Sequence, residues 1–94
     1  MHTKLLFVDD DLAVLSAYQR MLRQSSYQCL FEADPKVVLN ETDLSDVQVL
    51  FVDQRMPGLS GAQLLTALQG RFPAMKRVLL SGDVMTAKHE LADS

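Results

Sequence analysis

Val49-Leu50-Phe51-Val52 is a run of four apolar residues that stops abruptly at Asp53. Three of the four are β-branched or aromatic, so the run reads as a strand buried on both faces, the kind that parallel sheets contain. Gln54 and Arg55 follow, and then Met56-Pro57-Gly58, which cannot continue a central strand. The strand therefore has a sharp end, and that end is a carboxylate. In open α/β sheets, ligands sit just beyond the carboxyl ends of the strands. An Asp in this place also has an ordinary reason to cap the turn that follows it.

The rest of the chain repeats the pattern. Lys4-Leu5-Leu6-Phe7-Val8 is a second short run, and it ends on Asp9, Asp10 and Asp11. From Leu12 the period changes: Leu12, Leu15, Tyr18, Met21 and Leu22 fall at helical spacing, which predicts an amphipathic helix from Leu12 to Gln24 capped by an Asp. Tyr27 to Ala33 form a looser, more polar strand, suited to a sheet edge. Asp34-Pro35 opens a short helix through Val37, Val38 and Leu39, and Asn40-Glu41-Thr42-Asp43 reads as a loop. After the strand ending at Asp53, Ser60 caps a helix with Ala62, Leu64, Leu65 and Leu68 on its apolar face, and Gly70 and Pro73 end it. Met75 to Leu80 make a fourth strand that closes on Ser81-Gly82-Asp83, and Val84 to Ala92 read as a further helix.

Strand and helix alternate four times with short connections. That order specifies a parallel sheet with right-handed crossovers and helices on both faces. With 94 residues, 48% of them hydrophobic, the chain makes one domain at most, spanning 1–94, with enough apolar material for a core. A net charge of -3 with scattered Lys and Arg argues against a nucleic-acid surface. Cys29 is the only cysteine, lies in an apolar run and reads as a small core residue. No segment has the length of a membrane span or the pattern of a signal peptide, so no membrane contact and a cytoplasmic location are expected.

In such a sheet Asp9, Asp10, Asp53 and Ser81 all fall at carboxyl ends of strands, which share one edge. Carboxylates held together there repel, so a cation must sit between them or one must be protonated. A hard divalent ion, Mg²⁺ before others, suits a cluster of carboxylates, carbonyls and water. The same ion would neutralise a phosphoryl group arriving at a carboxylate, and Asp is a nucleophile of that kind. Ser81 is placed to donate its hydroxyl to a phosphoryl oxygen on Asp53. Taken singly, the three early acids also suit a helix N-cap, and Ser81 suits an ordinary turn.

Phe7-Val8-Asp9-Asp10, then Val52-Asp53-x-x-Met56-Pro57-Gly58, then Leu80-Ser81-Gly82 resemble, in order and spacing, the receiver domain of two-component response regulators. The resemblance implies a flavodoxin-like sheet of strand order 2-1-3-4-5. It implies that Asp53 is phosphorylated by a sensor histidine kinase or phosphotransfer protein. Asp10 would ligate Mg²⁺ directly, Asp9 partly through water, and Asp53 and the Arg55 backbone carbonyl would complete the protein ligands. Ser81 would be the switch hydroxyl, and a C-terminal output domain or downstream effector would read the change. The first helix and the loops near the acids would form the kinase docking face. Such a domain is a self-catalysing phosphoacceptor rather than an enzyme.

The family continues with a fifth strand, a Lys that pairs with the phosphoryl group, an aromatic switch residue and a fifth helix, and this sequence stops before them. Lys76, Arg77 and Lys88 do not replace that Lys: two begin the fourth strand and one lies in the last helix. The expected consequences are an open edge at strand four and uncovered apolar surface on the first helix's side. A fragment of a longer regulator, a short receiver, and a homodimer or strand exchange through the open edge stay open, with the fragment expected. The alternative function is a phosphorylation-independent interaction domain. A metal-dependent phosphohydrolase is disfavoured, because Arg55 stands where such enzymes carry a second Asp and the histidines, His2 and His89, are remote from the strand ends.

Overall fold

Each described helix begins where a polar side chain accepts from the backbone N–H groups of its own first turn. The computed structural model describes residues 3–40 and 43–80. They form β1 (Lys4–Val8), α1 (Leu12–Leu22), β2 (Gln28–Glu32), α2 (Pro35–Asn40), β3 (Val49–Asp53), α3 (Gly61–Gln69) and β4 (Lys76–Leu80). Asp11 caps α1 by accepting the Ala13 N–H at 2.9 Å, and Asp34 accepts the Lys36 N–H at 2.9 Å to start α2. At α3, Ser60 Oγ accepts from the Gln63 N–H at 3.2 Å while Gln63 Oε1 accepts from the Ser60 N–H at 2.9 Å, a reciprocal capping box. The expected helix from Val84 to Ala92 lies outside the described residues, as do Ser81, Lys88 and both histidines.

All strand pairs are parallel and the order is β2-β1-β3-β4. This is the flavodoxin-like arrangement that the receiver-domain resemblance implies, with the fourth strand beside the third. Leu6, Val8, Leu50 and Val52 point to one side of the sheet and pack with Val38, Leu64 and Leu68 of α2 and α3. Leu5 and Phe7 point to the other side, against Leu15 of α1, with Tyr18, Phe31 and Phe51 half-buried around them. The Phe7 ring stacks on Tyr18, Phe31 and Phe51, at centroid distances of 4.8, 5.4 and 4.7 Å. Among the described residues, β2 and β4 are the edge strands.

The structure corrects three expectations. The central strand β3 is not fully buried on both faces: Leu50 and Val52 are inaccessible, whereas Val49 and Phe51, on the α1 side, are only partly covered. One helix lies against that side of the described sheet and two lie against the other, so an apolar cleft of about 530 Å³ remains between α1, Phe7 and Phe51. Leu12 and Met21, assigned to the buried stripe of α1, are 67% and 72% exposed. The helix ends at Leu22, and only Leu15, Tyr18 and Leu22 face the sheet. Asn40 belongs to α2 rather than to the loop after it. Among the described residues, no helix is long and apolar enough to cross a membrane.

Candidate functional site: an acidic pocket at the carboxyl edge of the sheet

The register of β1 on β3 pairs Val8 with Val52, so Asp9 and Asp53 stand side by side at the same edge. Side chains alternate along a strand, so Asp53 falls on the side of Val49 and Phe51. Asp9 continues the alternation of Leu5 and Phe7 on that same side. Asp9, Asp10 and Asp53 can each offer one carboxylate oxygen such that all three lie within 4.8 Å of one another.

The three early acids divide the work. Asp11 is the helix cap. Asp9 is buried and accepts the Asp11 N–H through Oδ1 at 2.9 Å, while its own N–H donates to the Glu32 carbonyl at 3.2 Å. Asp10 is exposed and is the member of the set turned most to solvent. The local explanation therefore accounts for Asp11, and for one oxygen of Asp9, which takes the N–H of the cap residue; it gives Asp10 no such bond among the described residues.

Electrostatics point the same way. The Asp53 carboxyl is pushed above its ordinary value of 3.8, first by burial and then by the charges of Asp9 and Asp10; the Arg55 and Gln54 N–H groups pull it partly back. Asp9 is raised as well, by burial above all, then by Asp10 and Asp11, against the bond from the Asp11 N–H. Tyr18, two turns along α1, feels the same field: burial raises its hydroxyl pKa first, and Asp9 and Asp53 raise it further. Three clustered carboxylates with hard oxygen donors, two of them held above their ordinary range, fit a small divalent cation. Burial also raises the Cys29 thiol, which accords with a packing role for that residue.

Two glycines let the backbone fold round the pocket. Gly58 has φ 80°, a left-handed conformation, and follows Pro57 as a turn of this type requires. Gly61 carries the first turn of α3 against the end of β3: a Cβ there would lie 2.5 Å from the Asp53 carbonyl oxygen. Gln54 was not singled out by sequence pattern, yet it is bonded to both neighbouring elements. Its N–H donates to the Leu80 carbonyl at 2.9 Å, its carbonyl accepts from the Gly61 N–H at 3.1 Å, and its Oε1 accepts from the Ala62 N–H at 2.9 Å. A neutral polar side chain directly after the buried strand and its carboxylate was the available signal.

Comparison with known proteins agrees with this geometry. The family model described as the response regulator receiver domain matches residues 5–92. A two-component response regulator of Arabidopsis thaliana is 28% identical over 89 residues, which are 93% of this chain and 14% of the relative, so the chain spans only a small part of that protein's length. Among solved structures, a chemotaxis protein of Vibrio cholerae superposes with a TM-score of 0.84 at 19% identity, covering 99% of this chain and 79% of that one. A response regulator receiver domain protein of Clostridium thermocellum gives 0.80 at 22% identity, covering 97% and 75%. At these identities the superpositions speak for the fold, and the match across residues 5–92 speaks for the family. The chain belongs to the response regulator receiver domains.

Proposed function

We propose that residues 1–94 act as one receiver unit that takes a phosphoryl group onto Asp53 from a sensor histidine kinase or phosphotransfer protein. The observation that carries this reading is the acidic pocket itself, with Asp9, Asp10 and Asp53 offering oxygens within 4.8 Å of one another and Asp53 held above its ordinary pKa. Mg²⁺ would be held by Asp10, Asp9, Asp53 and the Arg55 carbonyl. When bound, it supplies the positive charge that lets all three carboxylates ionise and a phosphoryl group approach.

Asp53 is the nucleophile. Its carboxylate oxygen attacks phosphorus as the phosphorus–nitrogen bond of phosphohistidine breaks, and the electron pair leaves with the imidazole. The Arg55 and Gln54 N–H groups favour the ionised form of the carboxylate that this step needs. Ser81 would then hydrogen-bond a phosphoryl oxygen and bias the chain toward a second conformation, which an output domain or effector reads. Water returns Asp53 to a carboxylate by hydrolysing the acyl phosphate. Leu12 stands exposed at the end of α1 next to the acids, an apolar contact suited to a docking kinase in the cytoplasm. A phosphorylation-independent interaction domain would gain nothing from three crowded carboxylates.

The test is the intact mass of the chain after incubation with acetyl phosphate and Mg²⁺, with Asp53→Asn as the blank. A phosphoryl adduct in the parent alone is the expected result. An adduct of equal size in the blank would move the acceptor elsewhere, and no adduct in either would remove the phosphoacceptor reading for this chain.

A further inference from the structure

The first four N–H groups of a helix have no partner within it, and at α3 all four are satisfied from outside the helical ladder. The Ser60 and Gln63 N–H groups are held by the capping box. The other two, from Gly61 and Ala62, both go to Gln54, one to its carbonyl and one to its side chain. The helix thus hangs from the residue directly after Asp53. Because Gly61 lacks a Cβ, the first turn sits close enough for this: a side chain there would strike the Asp53 carbonyl at 2.5 Å. Residues 55–60 are therefore a short loop tied back at its far end onto residue 54, and residue 54 is in turn fixed to β4 through the Leu80 carbonyl.

We infer that Gln54 is a positioning residue for the acidic pocket: its side-chain bond to the Ala62 N–H sets the loop that carries the Arg55 carbonyl before any cation arrives. This inference rests on the reading of that pocket as a Mg²⁺ site. Of the three bonds Gln54 makes, the two through its backbone survive any ordinary substitution, and the side-chain bond is the one the sequence specifies. Losing it lets the loop sample other arrangements, which must be reordered when the cation binds. The cost then shows in the dissociation constant.

Calorimetric titration of the full chain with Mg²⁺ tests this with three variants. Gln54→Met keeps length and apolar stem but loses the acceptor, and weakens Mg²⁺ binding about three- to tenfold, the worth of one hydrogen bond. Gln54→Glu keeps an acceptor for the Ala62 N–H and binds at least as tightly as the parent. Ser60→Ala breaks the capping box on the same helix without touching Gln54, so it lowers the melting temperature and leaves the Mg²⁺ affinity within about twofold. Parent-like affinity in Gln54→Met overturns the inference. So does weakening by Ser60→Ala as large as that of Gln54→Met, which would mean that the helix end simply frays, and so does loss of affinity in Gln54→Glu. A parent that binds no Mg²⁺ defeats the metal reading of the pocket itself, a result distinct from any of these.

Discussion

At Gly61 one added methyl group decides whether helix α3 can seat. Its Cβ would meet the Asp53 carbonyl oxygen at 2.5 Å and Leu79 Cδ1 at 2.6 Å, and the carbonyl belongs to a central strand that cannot retreat. Gly61→Ala is therefore expected to cost about 1–3 kcal/mol, the range for overpacking, read as a lowered denaturation midpoint. A midpoint equal to the parent's would mean that the helix stands further from the strand. Asp10→Ala acts differently. Asp10 is exposed and holds no hydrogen bond or ion pair among the described residues, so the variant should keep or raise thermal stability in the absence of metal while binding Mg²⁺ more weakly. Unchanged Mg²⁺ affinity would remove Asp10 from the ligand set. The carboxylates were legible in the sequence because each one interrupts or ends an apolar run. The roles of Gln54 and Gly61 were not, because a bond to a helix end and a close approach of two backbones leave no spacing pattern behind.

Elements were legible where a local rule fixed them. Asp11 and Ser60 cap the helices that their positions suggested, since an N-cap needs only an oxygen and two or three residues of chain. Faces were less legible, because a face is defined by what packs on it. Leu50 and Phe51 are neighbours in one apolar run, yet Leu50 is fully buried under α2 and α3 while Phe51 stands half-covered beside α1. Leu50→Ala should accordingly cost about 2–5 kcal/mol in chemical denaturation, the range for a buried Leu. Phe51→Ala should cost less than a fully buried aromatic would. Equal or reversed losses would show that the α1 side of the sheet is as tightly packed as the other. Met21 and Leu12 teach the same lesson on α1: helical spacing grouped them with Leu15, Tyr18 and Leu22, but only those three lie against the described sheet.

For the whole molecule the acidic pocket makes stability depend on pH. Asp9 and Asp53 hold their protons more tightly in the folded chain than in the unfolded one. Below the ordinary carboxylate value of 3.8 both states are protonated and the pocket costs nothing. As pH rises from there through the raised values, the folded chain must ionise crowded acids, so stability falls, and the full cost is present above that window. Metal-free Asp53→Asn should thus melt higher than the parent at neutral pH, with the advantage shrinking as pH falls toward the ordinary carboxylate range. Saturating Mg²⁺ should narrow the gap by stabilising the parent through binding. Thermal melts from acid to neutral pH, with chelator and with Mg²⁺, check both statements. A gap that stays constant with pH would mean that the carboxylates do not repel in the folded state.

By itself the sequence determined the alternation of strand and helix, the parallel sheet that follows from it, and the acids that end β1 and β3. These depend on periodicity and on residues adjacent in the chain, and such short-range causes can be read along a line. Tertiary structure decided which faces are covered, how Val8 aligns with Val52 to bring Asp9 and Asp53 together, and how Gln54 ties the acceptor strand to α3 and β4. Those outcomes depend on register, on the number of helices against each face, and on contacts between residues distant in sequence. None of the three has a signature until the sheet has formed.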